Sequence, residues 1–475
     1  MNASSQSQAP PPSIASFGVP APRAVGLPRG WTTPKTLKVF RGGVCALVAL
    51  LFLFGESTLS QSRAAFKTIG KDTVPSIIAA EEIGYALADL DANVANSLLG
   101  NAQHRQIATA AIEKQRIKVT DSLVDAAQNI TYGDAEKIPI RMMTRDFGLY
   151  LERAAEARLR FEQGDEAGAR TSYWVATDLL HTKLLVEAAD LDAANKVQLD
   201  AAYRDGGQET RGAEAIAISL GTLLVFGMFL LQLFLTKKTR RILNAPLVIA
   251  TLMALVFPVY LALRFSDARD SLRIAKEDAF DSIHAIVRAR TLAYDANGDE
   301  SRYLLDMSAA RGMDDAFRKK VAALSSQPTA TVPSQRELAD RKRKGQTGGA
   351  TGLFWDELKN VTFDGEYASA SRMMQAFRDY MLIDGRIRKF ASSGKMPDAI
   401  ELCIGDKPDE SNAAFDRFDA ALGSTLEINR TAFDHEIDHT TSDLGTARAV
   451  SIFLSVGIVL LTWFGLRLRL REYTA

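Results

Sequence analysis

AIAISLGTLLVFGMFLLQLFL, Ala215–Leu235, runs for 21 residues without a charge. At 1.5 Å per residue such a run matches the roughly 30 Å hydrocarbon core of a bilayer, so it reads as a transmembrane helix. Three other runs share its character. Ala245–Leu263 is uncharged despite Pro246 and Pro258, which a membrane helix tolerates where neighbours satisfy the freed carbonyl. Ala449–Leu466 carries Trp463 near its end. Gly42–Leu59 is the weakest, because its charge-free core ends at Glu56. A cleaved signal peptide is the other reading of that first run. The 41 residues before it, and the lack of a small-x-small site after it, favour an anchor.

Basic residues orient the four spans. The tail 1–41 carries Arg23, Arg29, Lys35, Lys38 and Arg41 and no acidic residue. The connection after Leu235 carries Lys237, Lys238, Arg240 and Arg241, and the C-terminal stub carries Arg467, Arg469 and Arg471. The positive-inside rule makes that side cytoplasmic. The expectation is a multi-pass protein of the inner (cytoplasmic) membrane with both termini inside. It divides into a Pro-rich disordered tail (1–41), a first span (42–61), an outside domain (62–212), a second span (213–235) and an inner loop (236–244). A third span (245–263), a second outside domain (264–448), a fourth span (449–466) and a stub (467–475) follow. With 57 Lys+Arg against 57 Asp+Glu, nothing points to nucleic acid. Two distant cysteines, Cys45 and Cys403, make no disulfide framework and no zinc finger.

The outside domains read as all-α. Ile83, Leu87, Leu90, Val94 and Leu98 recur at spacings of three and four, as do Phe415, Phe418, Leu422, Leu426, Asn429, Phe433 and Ile437. Breaks are expected at Gly100-Asn101, Thr131–Asp134 and Gln163–Asp165 in the first domain. In the second they are expected at Asn297-Gly298, Ser392–Gly394, Gly405–Pro408 and a mobile insert, 325–352. Each domain is then a four-helix bundle whose first and last helices continue the spans. The domains also look duplicated. At an offset of 206, Ser60, Arg63, Asp72, Ser76, Ile77 and Asp89 match Ser266, Arg269, Asp278, Ser282, Ile283 and Asp295. Late in each domain the offset is 234, matching Asn195 and Asp200 to Asn429 and Asp434, and the insert has the length of the difference.

This layout is similar to the four-helix-bundle sensor modules of bacterial chemoreceptors and histidine kinases. Particular phrases carry a closer likeness: LADLDANVANSLLG (Leu87–Gly100), FEQGDEAGARTSYWVATDLL (Phe161–Leu180), LIDGRIRKFASSGKMPDAIELCIGD (Leu382–Asp406), AAFDRFDAALGSTLEINRTAFD (Ala413–Asp434) and GLRLRLREY (Gly465–Tyr473). With them the chain resembles bacterial four-span, double-bundle membrane proteins best known in actinobacteria. One member of that group connects a glutamine/aspartate-binding lipoprotein to a soluble serine/threonine kinase, protein kinase G. The resemblance implies a solute-binding protein outside and a kinase inside as partners.

Candidate chemistry is sparse. His435-Glu436-Ile437-Asp438-His439 is an HExxH string, which on a helix aims two histidines at one zinc. It lacks a third ligand other than Asp443, so a solvated helix face is the stronger reading and no catalytic, metal or cofactor site is assigned. Asn195 and Asn429 sit on apolar stripes, where a buried Asn fixes register or meets a polar ligand. Tyr173-Trp174 reads as core before pocket. Lys237, Lys238, Arg240, Arg241, Arg469, Arg471 and Tyr473 are candidates for docking a cytoplasmic partner, with anionic lipid competing. Arg341–Lys344 reads as a solvated charge run. Gly206, Gly207, Gly212 and Gly445 are candidate hinges. Few ionisable groups lie at mid-membrane depth, which argues against transport. The reading is a non-enzymatic transmembrane signal relay, with a structural envelope protein second and a zinc-dependent membrane protease third. The layout admits a homo-oligomer.

Overall fold

The computed structural model describes residues 32–239, 244–308, 310–344 and 349–471. Among them every regular element is helical. Four stretches are long and apolar enough to cross a membrane, and each is continuous with a helix of the bundles.

The first, α1 (Thr33–Lys67), passes through a π-helical turn (Thr68–Thr73) into α2 (Val74–Ser97) without a break. Pro34 at its start is compatible with helix because the first-turn N–H groups have no intrahelical partner. Lys35, Lys38 and Arg41 therefore lie on helix, and the tail reading is corrected for residues 33–41. Residues 1–31, with Arg23 and Arg29, lie outside the described residues.

α3 (Ala102–Gln128) returns along α2, capped by the Asn101 side chain. α4 (Asp134–Glu162) runs up again and α5 (Glu166–Leu179) turns back. A second π-helical turn, Leu180–Leu184, leads into α6 (Leu185–Thr239), which completes the first bundle and crosses the membrane. Gly206, Gly207 and Gly212 are interior to α6, so they interrupt nothing. Gly445 is likewise interior to a long helix described below.

The second half repeats the plan: α7 (Ala245–Arg273), a π-helical turn (Ile274–Phe280) and α8 (Asp281–Leu305). The two basal π-turns begin at Thr68 and Ile274, 206 residues apart, so the duplication extends to a helix defect. α9 (Ala310–Leu324), α10 (Gln335–Arg343) and α11 (Leu353–Asn360) follow, then α12 (Glu366–Ser392), α13 (Met396–Ile404) and α14 (Ser411–Arg471).

Three expectations need correction. Asn297-Gly298 is no break, since α8 runs through it to Leu305. The insert is not all loop: it holds α10, and its ends are tied by Ser326 N–H to Thr351 O at 2.8 Å and Trp355 Nε1–H to Ser325 Oγ at 2.9 Å. The change of offset from 206 to 234 also occurs in two places. Glu136, Met143, Phe147 and Tyr150 correspond to Glu366, Met373, Phe377 and Tyr380 at 230, and left-handed Gly164 to left-handed Gly394. The insert thus accounts for 24 residues. The other four enter at Gly405–Glu410, where α13 and α14 separate while α5 flows into α6.

In the membrane, α1 packs on α6 and α14, and α7 packs on the same two. Gln232 Nε2–H bonds Thr251 Oγ1 at 2.7 Å between α6 and α7. Ion pairs close the ends of the spans that face the bundles: Glu56 with Arg448 at 2.6 Å and Glu214 with Arg269 at 3.2 Å. Beyond the spans, the bundles are not separate beads. α2 lies along α8, with Gly84 permitting close approach to Thr291.

Candidate functional site

Polar side chains converge where α2 and α8 meet. Asp91, on α2, is fully buried. Tyr150 and Tyr173 donate their hydroxyls to it at 2.9 Å, and Thr177 donates at 3.0 Å. From the other half, Arg302 Nη2 reaches Asp91 at 2.7 Å, while its Nε donates to Tyr173 Oη at 3.0 Å. Arg302 is 1% exposed and also bonds Asp295 and Asp299. Lys320, on α9, bridges those two carboxylates at 2.7 and 2.6 Å. His181, inside the π-turn between α5 and α6, closes the cluster at 2.8 Å from Asp295 Oδ1.

Asp91, Asp295 and Asp299 thus share Arg302 and Lys320, and His181 adds a third basic side chain against Asp295. Burial pulls the His181 pKa down, but the hydrogen bond and charge of Asp295 outweigh it and leave it raised. Burial would likewise raise the Asp295 carboxyl. His181, Arg302 and Lys320 reverse that and hold it well below the carboxylate range. Burial and the Asp91 charge push the Tyr173 and Tyr150 hydroxyls up, keeping them neutral donors.

The second bundle carries its own buried acids. Glu300, on α8, accepts from Tyr380 at 2.9 Å and from Ser411 at 3.0 Å. Burial, then the Asp384 charge, pushes it up to about 8. Glu357 is also pushed up to about 8, by burial and Glu366. The signs follow: a carboxyl whose folded pKa exceeds its unfolded value stabilises the fold fully below about pH 4.5, and that contribution is lost as pH rises through about 8. Melting temperature should therefore fall between about pH 5 and pH 8. Glu300→Gln retains an acceptor for Tyr380 and Ser411 and should make that fall shallower in a thermal melt. An unchanged slope would reject the assignment.

Asn195 and Asn429 are fully buried in equivalent places. Each donates Nδ2–H to the carbonyl four residues back, Leu191 at 3.1 Å and Thr425 at 3.2 Å, and Asn429 also meets Glu357 at 3.3 Å. Tyr173 belongs to the buried cluster, with Trp174 tilted against it at 5.7 Å. His435 and His439 are exposed, their rings parallel at 5.8 Å. Asp443 pairs with Arg264 at 3.6 Å, and among the described residues no third ligand converges on the two histidines. Lys237 and Lys238 are exposed at the end of α6. Arg240, Arg241 and Tyr473 lie outside the described residues, as do the side chains of Arg469 and Arg471. Arg341 and Arg343 are exposed on α10.

A cavity of about 230 Å³ lies beside the cluster, between the halves, with Ala80, Gly84, Ala188, Asp192, Arg288 and Asp295 on its walls. Its floor of small residues and its opposed charges suit a small polar molecule.

Residues 65–204, the first bundle and its base, match the family model of the actinobacterial sensor domain. That supports a bacterial sensor-type, multi-pass membrane protein. Such domains are in general non-catalytic. No curated protein and no solved structure matches the chain.

The sequence pattern missed the Arg302 cluster. Its signal was present: Asp295, Asp299 and Arg302 lie at i, i+4 and i+7, one face of a helix, in a stretch where Asn-Gly reads as a turn.

Proposed function

We propose that the protein is a non-enzymatic relay. Its outside bundles receive a signal at their junction, and its spans carry it inward as a small shift of one helix against another. The observation that carries the reading is continuity. His181 contacts the other half from within a π-turn, and the helix that follows, α6, runs unbroken to Thr239 on the far side of the membrane. A change at the junction thus acts directly on a span. The match to a sensor domain supports the same reading. Basic residues on one side support an inner-membrane orientation with both termini inside.

The resemblance to double-bundle proteins makes amino-acid availability, delivered by a solute-binding protein, the proposed input. A soluble serine/threonine kinase is the proposed receiver, docking on the inner basic residues, among them Lys237, Lys238, Arg469 and Arg471.

A crosslink tests the relay. A Cβ at Gly206 on α6 would lie 3.8 Å from Ala65 Cβ on α1, within disulfide range. With Cys45 replaced by serine, the Ala65→Cys/Gly206→Cys pair should form its disulfide at a rate that changes when glutamine or aspartate is supplied to intact cells. A rate indifferent to both, in cells whose response to them is intact, points to a static envelope protein instead.

A further inference from the structure

Glu81 on α2, Asp192 on α6 and His284 on α8 meet at the same junction, Glu81 and His284 lying ten and eleven residues before Asp91 and Asp295 of the Arg302 cluster. One potential ligand atom from each lies within 4.8 Å of the others. His284 Nε2 stands 3.3 Å from Glu81 Oε1 and 3.2 Å from Asp192 Oδ1. Those are edge lengths of a tetrahedral site: bonds of about 2.0–2.2 Å hold two ligands roughly 3.3–3.5 Å apart.

The hydrogen bonding is incomplete. His284 Nε2 bonds Asp192, yet neither Glu81 oxygen has a hydrogen-bond partner, although Glu81 is only 6% exposed. A buried carboxylate without a donor is costly, and a bound cation removes the cost. Phe280 stacks on the His284 ring at 5.7 Å and holds its plane. The 230 Å³ cavity is lined by Glu81 and Asp192, so an ion and a fourth ligand have a way in.

We propose that Glu81, Asp192 and His284 bind one divalent transition-metal ion of the zinc class. One imidazole and two carboxylates suit zinc, whereas calcium and magnesium fill their shells with six or more oxygens. A fourth position would remain open toward the cavity. Because the ligands come from both halves, the ion would clamp the junction shut. This goes beyond the relay and does not depend on it.

The test uses full-length protein purified in detergent, stripped with a chelator and titrated with zinc, magnesium or calcium. One zinc per chain is expected, with a raised melting temperature, and neither magnesium nor calcium should compete. Cobalt in its place should give the absorption of a four-coordinate ion. His284→Ala should weaken zinc binding by about tenfold or more. Glu81→Gln, close in shape, should do the same and serves if the alanine variant does not fold. His435→Ala/His439→Ala should bind like the parent. Absence of stoichiometric zinc in the parent overturns the proposal, as does binding that survives Glu81→Gln and vanishes with the His435/His439 variant.

Discussion

Arg302→Met should destabilise the paired bundles by about 3–5 kcal/mol, the usual cost of removing one partner from a buried ionic cluster. The guanidinium is 1% exposed and touches Asp91, Asp295 and Asp299. Lys320 and His181 remain for two of these carboxylates. Asp91 keeps only neutral donors, Tyr150, Tyr173 and Thr177, in a fully buried place. Adding Asp91→Asn removes the stranded charge and should recover part of the loss. A double-mutant cycle read by thermal melting tests both statements. A single variant that melts with the parent, or a double variant no more stable than Arg302→Met, would show that Asp91 and Arg302 are not coupled. Hydrogen exchange should locate the loss in α2, α5 and α8, since those helices share the cluster.

Gly221→Leu should separate the second and third spans. A Cβ at Gly221 would fall 2.2 Å from Pro258 Cβ and 2.3 Å from its Cγ, and a proline ring cannot swing away. Overpacking in a tight core typically costs about 1–3 kcal/mol, and leucine exceeds what α6 and α7 can absorb by moving apart. Gly227 lies six residues further along α6 with nothing within 4 Å of its would-be Cβ. Gly227→Ala is therefore the control. Gly221→Ala should already lower the detergent melting temperature relative to Gly227→Ala, and Gly221→Leu should lower it further. Equal stability of the two alanine variants would show that the close crossing is not there.

Much of the architecture was legible in residue order because it depends on local periodicity. Four apolar runs, three of them uncharged over membrane length, are visible in one dimension, and so are stripes at spacings of three and four. Turns at Gly133, Gly164 and Gly394 are legible too, because a positive φ there favours glycine. Asn195 and Asn429 stood out as polar residues on apolar stripes, and both are buried.

What failed depended on contacts distant in sequence. Asn297-Gly298 carries a turn signal, yet Gly298 is there for space: a Cβ would come within 2.8 Å of Arg302 Nη2. At this position the missing side chain matters, and backbone freedom does not. His435 and His439, at HExxH spacing, are both exposed, and that string carries no metal-ligand geometry among the described residues. The metal-ligand geometry lies instead in three residues from three helices, 111 residues apart from Glu81 to Asp192 and 92 from there to His284, and no spacing rule joins them. By itself the sequence determined the spans, the helical class and the duplication, because each repeats along the chain. Only the tertiary structure decided that the halves fuse along α2 and α8. A buried charge is stable only with its partner, and the cation that Asp91 meets, Arg302, lies in the other half.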